Sequence, residues 1–146
     1  MFPDRSVSIA AAVVFSLLLL AAAPLMAKDA TYNYISPEEL KTRIHSGASQ
    51  CILDIQVPEE FNEHHIKGAV PTYAYPAKTG EEKARIDKEA ARLAQDEDPI
   101  IIVCPRGAGG AKRTYDYLLE KGFDADRLYI LEHGQGGWPY EDLLDK

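Results

Sequence analysis

Cys104 is followed by Pro105-Arg106-Gly107-Ala108-Gly109-Gly110 and preceded by the aliphatic run Ile100-Ile101-Ile102-Val103. A thiol at that junction suits nucleophilic chemistry. Glycines let backbone N–H groups curl inward around an anion, and a helix opening just beyond them aims its positive dipole end at the same point. Such surroundings bias a thiol toward thiolate, the form that attacks. A lone cysteine is more often a small buried hydrophobe, and a glycine pair more often a tight turn. Here strand, thiol, glycine loop and helix occur in register, and that order favours the nucleophile. Arg106 is the one cation inside the loop and is expected to contact a bound anion, with Gly107, Ala108, Gly109 and Gly110 lending backbone. Pro105 contributes no amide donor. Lys112 and Arg113, one turn into the helix, read first as solvated surface charges, with a lean back toward the bound anion as the alternative.

The elements that position this loop follow from the hydrophobic pattern. The run Ile100–Cys104 is apolar without alternation, as in a parallel strand buried on both faces. Residues from Ala111 to Lys121 then read as a helix, with Tyr115, Leu118 and Leu119 inward. Upstream, Tyr32–Ile35 suits a short edge strand. Ser36-Pro37-Glu38-Glu39 reads as a helix start and Gly47 as its stop. Cys51–Ile55 is a second strand, with Asp54 near its carboxyl end and a structural task in accepting backbone N–H groups. Pro58–Glu63 reads as a short helix, and His64–Pro71 leads into an extended segment. Thr72–Gly80 is a loop whose Tyr73 and Tyr75 are candidates for the pocket mouth. Glu81–Gln95 is a charged helix with Ile86, Ala90, Leu93 and Ala94 on one side. Leu128–Leu131 is the last strand, His133–Trp138 a flexible loop, and Pro139–Leu144 a helical turn or two. Alternating strands and helices predict an α/β fold, a central parallel sheet with helices on both faces. Ligands then sit beyond the carboxyl ends of the strands, where Asp54, Cys104 and the loop after Leu131 gather.

The chain has 146 residues, room for one domain after a targeting segment is set aside. Arg5, an apolar run from Val7 to about Ala23 and then Pro24-Leu25-Met26-Ala27 read as a secretory signal over residues 1–27, leaving a domain of 28–146. An uncleaved anchor is the alternative, since the run approaches membrane-spanning length. Export places the domain in the periplasm or outside the cell, without a membrane contact once the signal is removed. Asp4 and Arg5 cancel, so the net charge of -7 stays with residues 28–146. That balance argues against nucleic acid or an anionic membrane as partner. The two cysteines, Cys51 and Cys104, open one strand and close another, too far apart for a disulfide if the strands are parallel neighbours. A free thiol in an oxidising compartment points again to function at Cys104. The His64-His65 pair lacks further ligands nearby, so no metal site is expected. His133 is a candidate proton shuttle near the pocket.

Five segments, in order, resemble the rhodanese family. They are Cys51-Ile52-Leu53-Asp54; Glu60-Phe61; His65-Ile66-Lys67-Gly68-Ala69; Ile102-Val103-Cys104 with Gly107; and Leu131-Glu132 with Gly136-Gly137-Trp138. The resemblance covers nearly all of the chain from Ser36 onward. It implies a rhodanese-like α/β domain and a sulfurtransferase or persulfide carrier, working through a Cys104 persulfide without metal or organic cofactor. The partners implied are a small sulfur-containing anion, a thiol acceptor and a protein thiol. The alternative is a non-catalytic binding or sulfur-relay module that docks on another protein. The chain also departs from the family. Gly109, followed by Gly110, stands at the fifth place after the cysteine, where an arginine is usual. Gln56 stands where an arginine often follows the strand aspartate, and His64 replaces a common glycine. Such a loop is expected to be wider and less selective for thiosulfate, favouring polysulfides or thiol persulfides. Phosphatase or arsenate reductase chemistry, open to the same fold, needs an arginine closing the loop, and none is found there.

Overall fold

The computed structural model describes residues 31–146, so the signal segment expected over residues 1–27 lies outside the described residues. The elements in chain order are β1 (Tyr34–Ile35), α1 (Pro37–Ser46), β2 (Cys51–Asp54), α2 (Pro58–Glu63), β3 (His65–Ile66) and β4 (Val70–Pro71). They continue with α3 (Gly80–Leu93), β5 (Ile100–Val103), α4 (Gly109–Glu120), β6 (Leu128–Leu131) and β7 (Leu144–Asp145). Five strands form one sheet in the order β1-β6-β5-β2-β4. Every pairing in it is parallel. The uninterrupted apolar run of β5 is the central strand, and all four of its residues are buried.

Neighbouring residues of β5 serve opposite faces, as the pleat requires. Ile100 and Ile102 pack with Leu53, Ile86, Leu93, Tyr115 and Leu118 beneath α3 and α4. Ile101 and Val103 pack with Ile35, Leu40, Ile52, Leu131 and Trp138 on the α1 side. Helices thus cover both faces, as the pattern predicts. Each fully buried aliphatic side chain here contributes about 1.5–3 kcal/mol.

Local chemistry sets most boundaries. The Ser36 hydroxyl accepts the Glu39 N–H at 3.1 Å, Pro37 occupies the first turn, and Gly47 ends α1 at a φ of 68°. Thr79 and Glu82 form a reciprocal capping box, so α3 starts at Gly80, one residue before the expected Glu81.

Some local expectations need correction. Leu119, expected inward, is 39% exposed, and Ala94, expected on the covered side of its helix, is exposed just past the end of α3. The helical turn expected within residues 139–144 is one 3-10 turn, Glu141–Leu143, but Leu144 leaves it for β7, which pairs antiparallel with β3, Ile66 opposite Leu144. The Lys67 N–H donates to the Leu143 carbonyl at 2.9 Å, and the buried Ile66 and Leu143 fasten the chain end to the α1 side. The segment His133–Trp138 is no flexible loop. Its Gln135 N–H donates to the Cys104 carbonyl at 2.8 Å and its Gly136 N–H to the Pro105 carbonyl at 2.9 Å.

Candidate active site

Cys104 follows the last residue of β5 at the carboxyl edge of the sheet, and is 2% exposed. The Gly107 N–H points back at its sulfur, with the nitrogen 3.1 Å from Sγ. Gly107 can do so because it adopts a φ of 66°, a left-handed conformation that glycine takes without strain. A side chain there would also strike the Leu131 carbonyl at 2.6 Å and the His133 nitrogen at 2.8 Å. Gly134 mirrors it from the other side. Its φ is 60°, and a Cβ would overlap the Cys104 carbonyl and come within 2.7 Å of the Arg106 nitrogen. Two loops therefore press backbone on backbone, and the second braces the first.

Helix α4 begins at Gly109, two residues before the expected Ala111. Gly109 and Gly110 are helical, and the loop proper shortens to Pro105–Ala108. The first turn of α4 carries no acidic residue, whereas α1, α2 and α3 all do. No carboxylate on that turn competes with its amides and dipole for an anion.

Cys104, Arg106, Ala108, Gly109, Gly110, Tyr75 and Arg113 line one cavity of about 270 Å³. That is small beside the roughly 300–1,000 Å³ of drug-sized sites. A small anion or the head of a thiol fits it. Arg106 lies exposed at the rim. Tyr75 lines the cavity, but Tyr73 instead packs edge-on to Phe61, with centroids 5.9 Å apart, and lines a separate hollow beside Arg85. Arg113, whose lesser reading from the sequence is contact with the anion, lines the cavity and donates its Nε–H to the Pro76 carbonyl at 2.9 Å. Lys112 turns elsewhere, over the Tyr32 ring. His133 is exposed and is not among the residues lining the cavity.

The two glycines do not leave open space above them. The space above Gly109 holds the Arg113 guanidinium, and the space above Gly110 holds the Tyr75 ring. Arg113 stands one helical turn from Gly109 only because α4 starts earlier than its pattern suggests, and Tyr75 arrives from another loop. Gly134 likewise carried no local signal, because its need for glycine comes from a distant carbonyl.

Behind the cavity, Asp54 is fully buried at the end of β2. Its carboxylate accepts the Gln56 N–H at 2.8 Å and the Gln56 side-chain amide at 3.0 Å. Burial pushes the carboxyl up to about 6, and the Gln56 hydrogen bonds only partly oppose this. Gln56 thus supplies the partner that an arginine would have supplied, without a charge. Ile55, the next residue, accepts the Tyr75 N–H at 2.8 Å, which ties the Asp54 turn to the cavity wall.

Cys51 is a free thiol at the opposite end of β2. It pairs in register with Ile100, four residues before Cys104. At about 3.3 Å per residue that places the cysteines on the order of 13 Å apart, beyond disulfide reach. Burial raises the Cys51 thiol, although the Arg92 guanidinium donates to its sulfur at 3.5 Å. His65 stacks on Phe61 at 3.8 Å between centroids, with Nδ1 2.9 Å from the Phe61 carbonyl. Trp138 closes the α1-side core, its indole N–H on the Tyr140 carbonyl at 2.9 Å.

A model of the rhodanese-like domain matches residues 36–140, well over half of the chain. The chain belongs to the rhodanese family. No curated protein matches it in sequence. Among solved structures, this rhodanese domain is similar to a rhodanese-like domain from Anabaena sp., at 19% identity over 72% of this chain and 71% of that one, with a TM-score of 0.55. It is similar to the thiosulfate sulfurtransferase of Pseudomonas aeruginosa at 21% identity and a TM-score of 0.57, over 79% of this chain and 20% of that one. The As-Sb reductase of Leishmania major matches at 18% identity and a TM-score of 0.59, over 77% and 84%. At such identities the likeness shows the fold alone. Family membership supports sulfur transfer at the level of the family.

Proposed function

We propose that this rhodanese domain carries sulfane sulfur as a persulfide on Cys104, taking it from a small donor and passing it to a thiophilic acceptor. The observation that carries the reading is the Gly107 N–H at 3.1 Å from the Cys104 sulfur, at the base of a cavity fronted by the start of α4. With thiosulfate, the Cys104 thiolate attacks the outer sulfur. The new S–S bond forms as the donor's S–S bond breaks, and sulfite leaves with the electron pair. A thiolate or cyanide acceptor then attacks the outer sulfur of the persulfide and releases Cys104 as thiolate. This is covalent catalysis in two steps, and protein dipoles hold the negative charge throughout. Polysulfides and thiol persulfides enter by the same attack.

The N-terminal sequence adds the proposal that the domain works after export, in the periplasm or outside the cell, cleaved after Ala27. Intact mass of protein recovered from the secreting cell checks this. A species beginning at Lys28 supports it, and a full-length species contradicts it.

Sulfite release tests the sulfur chemistry. With thiosulfate and no acceptor, the wild type should release about one sulfite per Cys104 and then stop, the signature of a covalent intermediate. Sulfite that appears only once acceptor is present, or equally from Cys104→Ser, would overturn the reading.

A further inference from the structure

Gly109 and Gly110 have ordinary helical φ values, so neither needs to be glycine for its conformation. What a side chain would meet explains them. A Cβ on Gly109 would lie 2.9 Å from Nη1 of Arg113 and 3.4 Å from Nη2. One on Gly110 would lie 2.9 Å from two ring carbons of Tyr75 and 3.3 Å from Ile55 Cδ1. The two glycines are seats for side chains that arrive from elsewhere, one from the next turn of α4 and one from the loop after β4.

Arg113 is also held and uncompensated. Its Nε–H is fixed on the Pro76 carbonyl at 2.9 Å, its terminal nitrogens lie over Gly109, and its side chain lines the cavity. Among the described residues no carboxylate forms an ion pair with it. A half-buried guanidinium beside the reactive sulfur, without an acidic partner, is built to meet an anion.

Resting on the persulfide reading above, we propose that Arg113 binds the oxyanion head of the sulfur donor, with Tyr75 as the facing wall. The site then prefers donors of the thiosulfate or thiosulfonate class over persulfides that lack an oxyanion. When Cys104 attacks the outer sulfur, the breaking S–S bond leaves its electron pair on sulfite or a sulfinate. Arg113 stands where that charge collects. Arg106, exposed at the rim and without a comparable anchor, makes a smaller contribution.

Second-order rates of Cys104 persulfide formation, read by intact mass, would be compared for thiosulfate and for the persulfide of N-acetylcysteamine made in situ. Arg113→Gln should slow loading from thiosulfate about 10- to 100-fold, the value of a charge-assisted hydrogen bond, and loading from the organic persulfide less than about threefold. Arg113→Lys should recover part of the loss. Gly109→Ala, which displaces only the tip of a flexible side chain, should slow thiosulfate in the wild-type background and have no further effect in Arg113→Gln. An equal fall on both donors, an unchanged thiosulfate rate, or full additivity of the two substitutions would overturn the proposal. Loading by the organic persulfide but not by thiosulfate in the wild type would overturn it too, while leaving the Cys104 persulfide standing. No loading with either donor would sink the persulfide reading itself.

Discussion

Replacing Asp54 by asparagine should make the protein more stable at neutral pH and hardly change it in acid. Asp54 is fully buried, and burial lifts its carboxyl from the ordinary 3.8 to about 6. An unfolded chain returns it to about 3.9. Between these two values the folded state holds a proton that the unfolded state has lost. Stability therefore falls as pH rises from about 4 to about 6, the reverse of the usual salt-bridged aspartate. A difference of about two pH units corresponds to roughly 3 kcal/mol at each pH above 6, and to nothing below 4. In Asp54→Asn the new side-chain carbonyl still accepts the Gln56 N–H. The Gln56 amide can turn its oxygen toward the new NH₂ group, so the hydrogen-bond pair survives. Urea unfolding suits the test, because the single tryptophan, Trp138, lies in the core and reports on it. The stability gap between Asp54→Asn and wild type should open by about 3 kcal/mol between pH 4 and pH 7, in favour of the variant. A gap independent of pH, or one that opens the other way, would refute this account of the β2 terminus.

Gly134→Ala should lower stability by at least about 2 kcal/mol, or roughly 10 °C in Tm, because φ of 60° with ψ of -158° is a region that side chains do not share. It should also abolish persulfide loading, since the backbone of the Cys104 loop must move; a stable, fully loading variant would contradict the backbone-on-backbone packing. Cys51→Ser should leave sulfur loading intact, as Cys51 lies at the far end of β2; loss of loading in its intact mass would show that the two thiols communicate.

The fold was legible wherever local pattern and tertiary need agree. The aliphatic run of β5, the Ser36 cap and the alternation of strands and helices predict the parallel sheet and its helices on both faces. The strand β7 was not legible, because Leu144 pairs only through its distant partner Ile66, and nothing within residues 139–146 alternates. At the site, Cys104 and Gly107 stood out by motif, and their geometry follows from chain-local rules. Arg113 did not. Its helical position says only that it leaves α4 on a certain side, and the anchor on Pro76 belongs to another loop. The two glycines that read as open space are filled from outside the motif. Gly134 was hidden for the same reason, since its constraint is the Cys104 carbonyl, far upstream in the chain.

The central claim is that Cys104 holds transferable sulfur. Intact mass after incubation with thiosulfate or polysulfide, for the wild type and for Cys104→Ser, tests it most directly. The wild type should gain one sulfur atom and lose it again on addition of cyanide or a small thiol, while Cys104→Ser gains none. No gain in the wild type with any donor, or the same gain in Cys104→Ser, would contradict it.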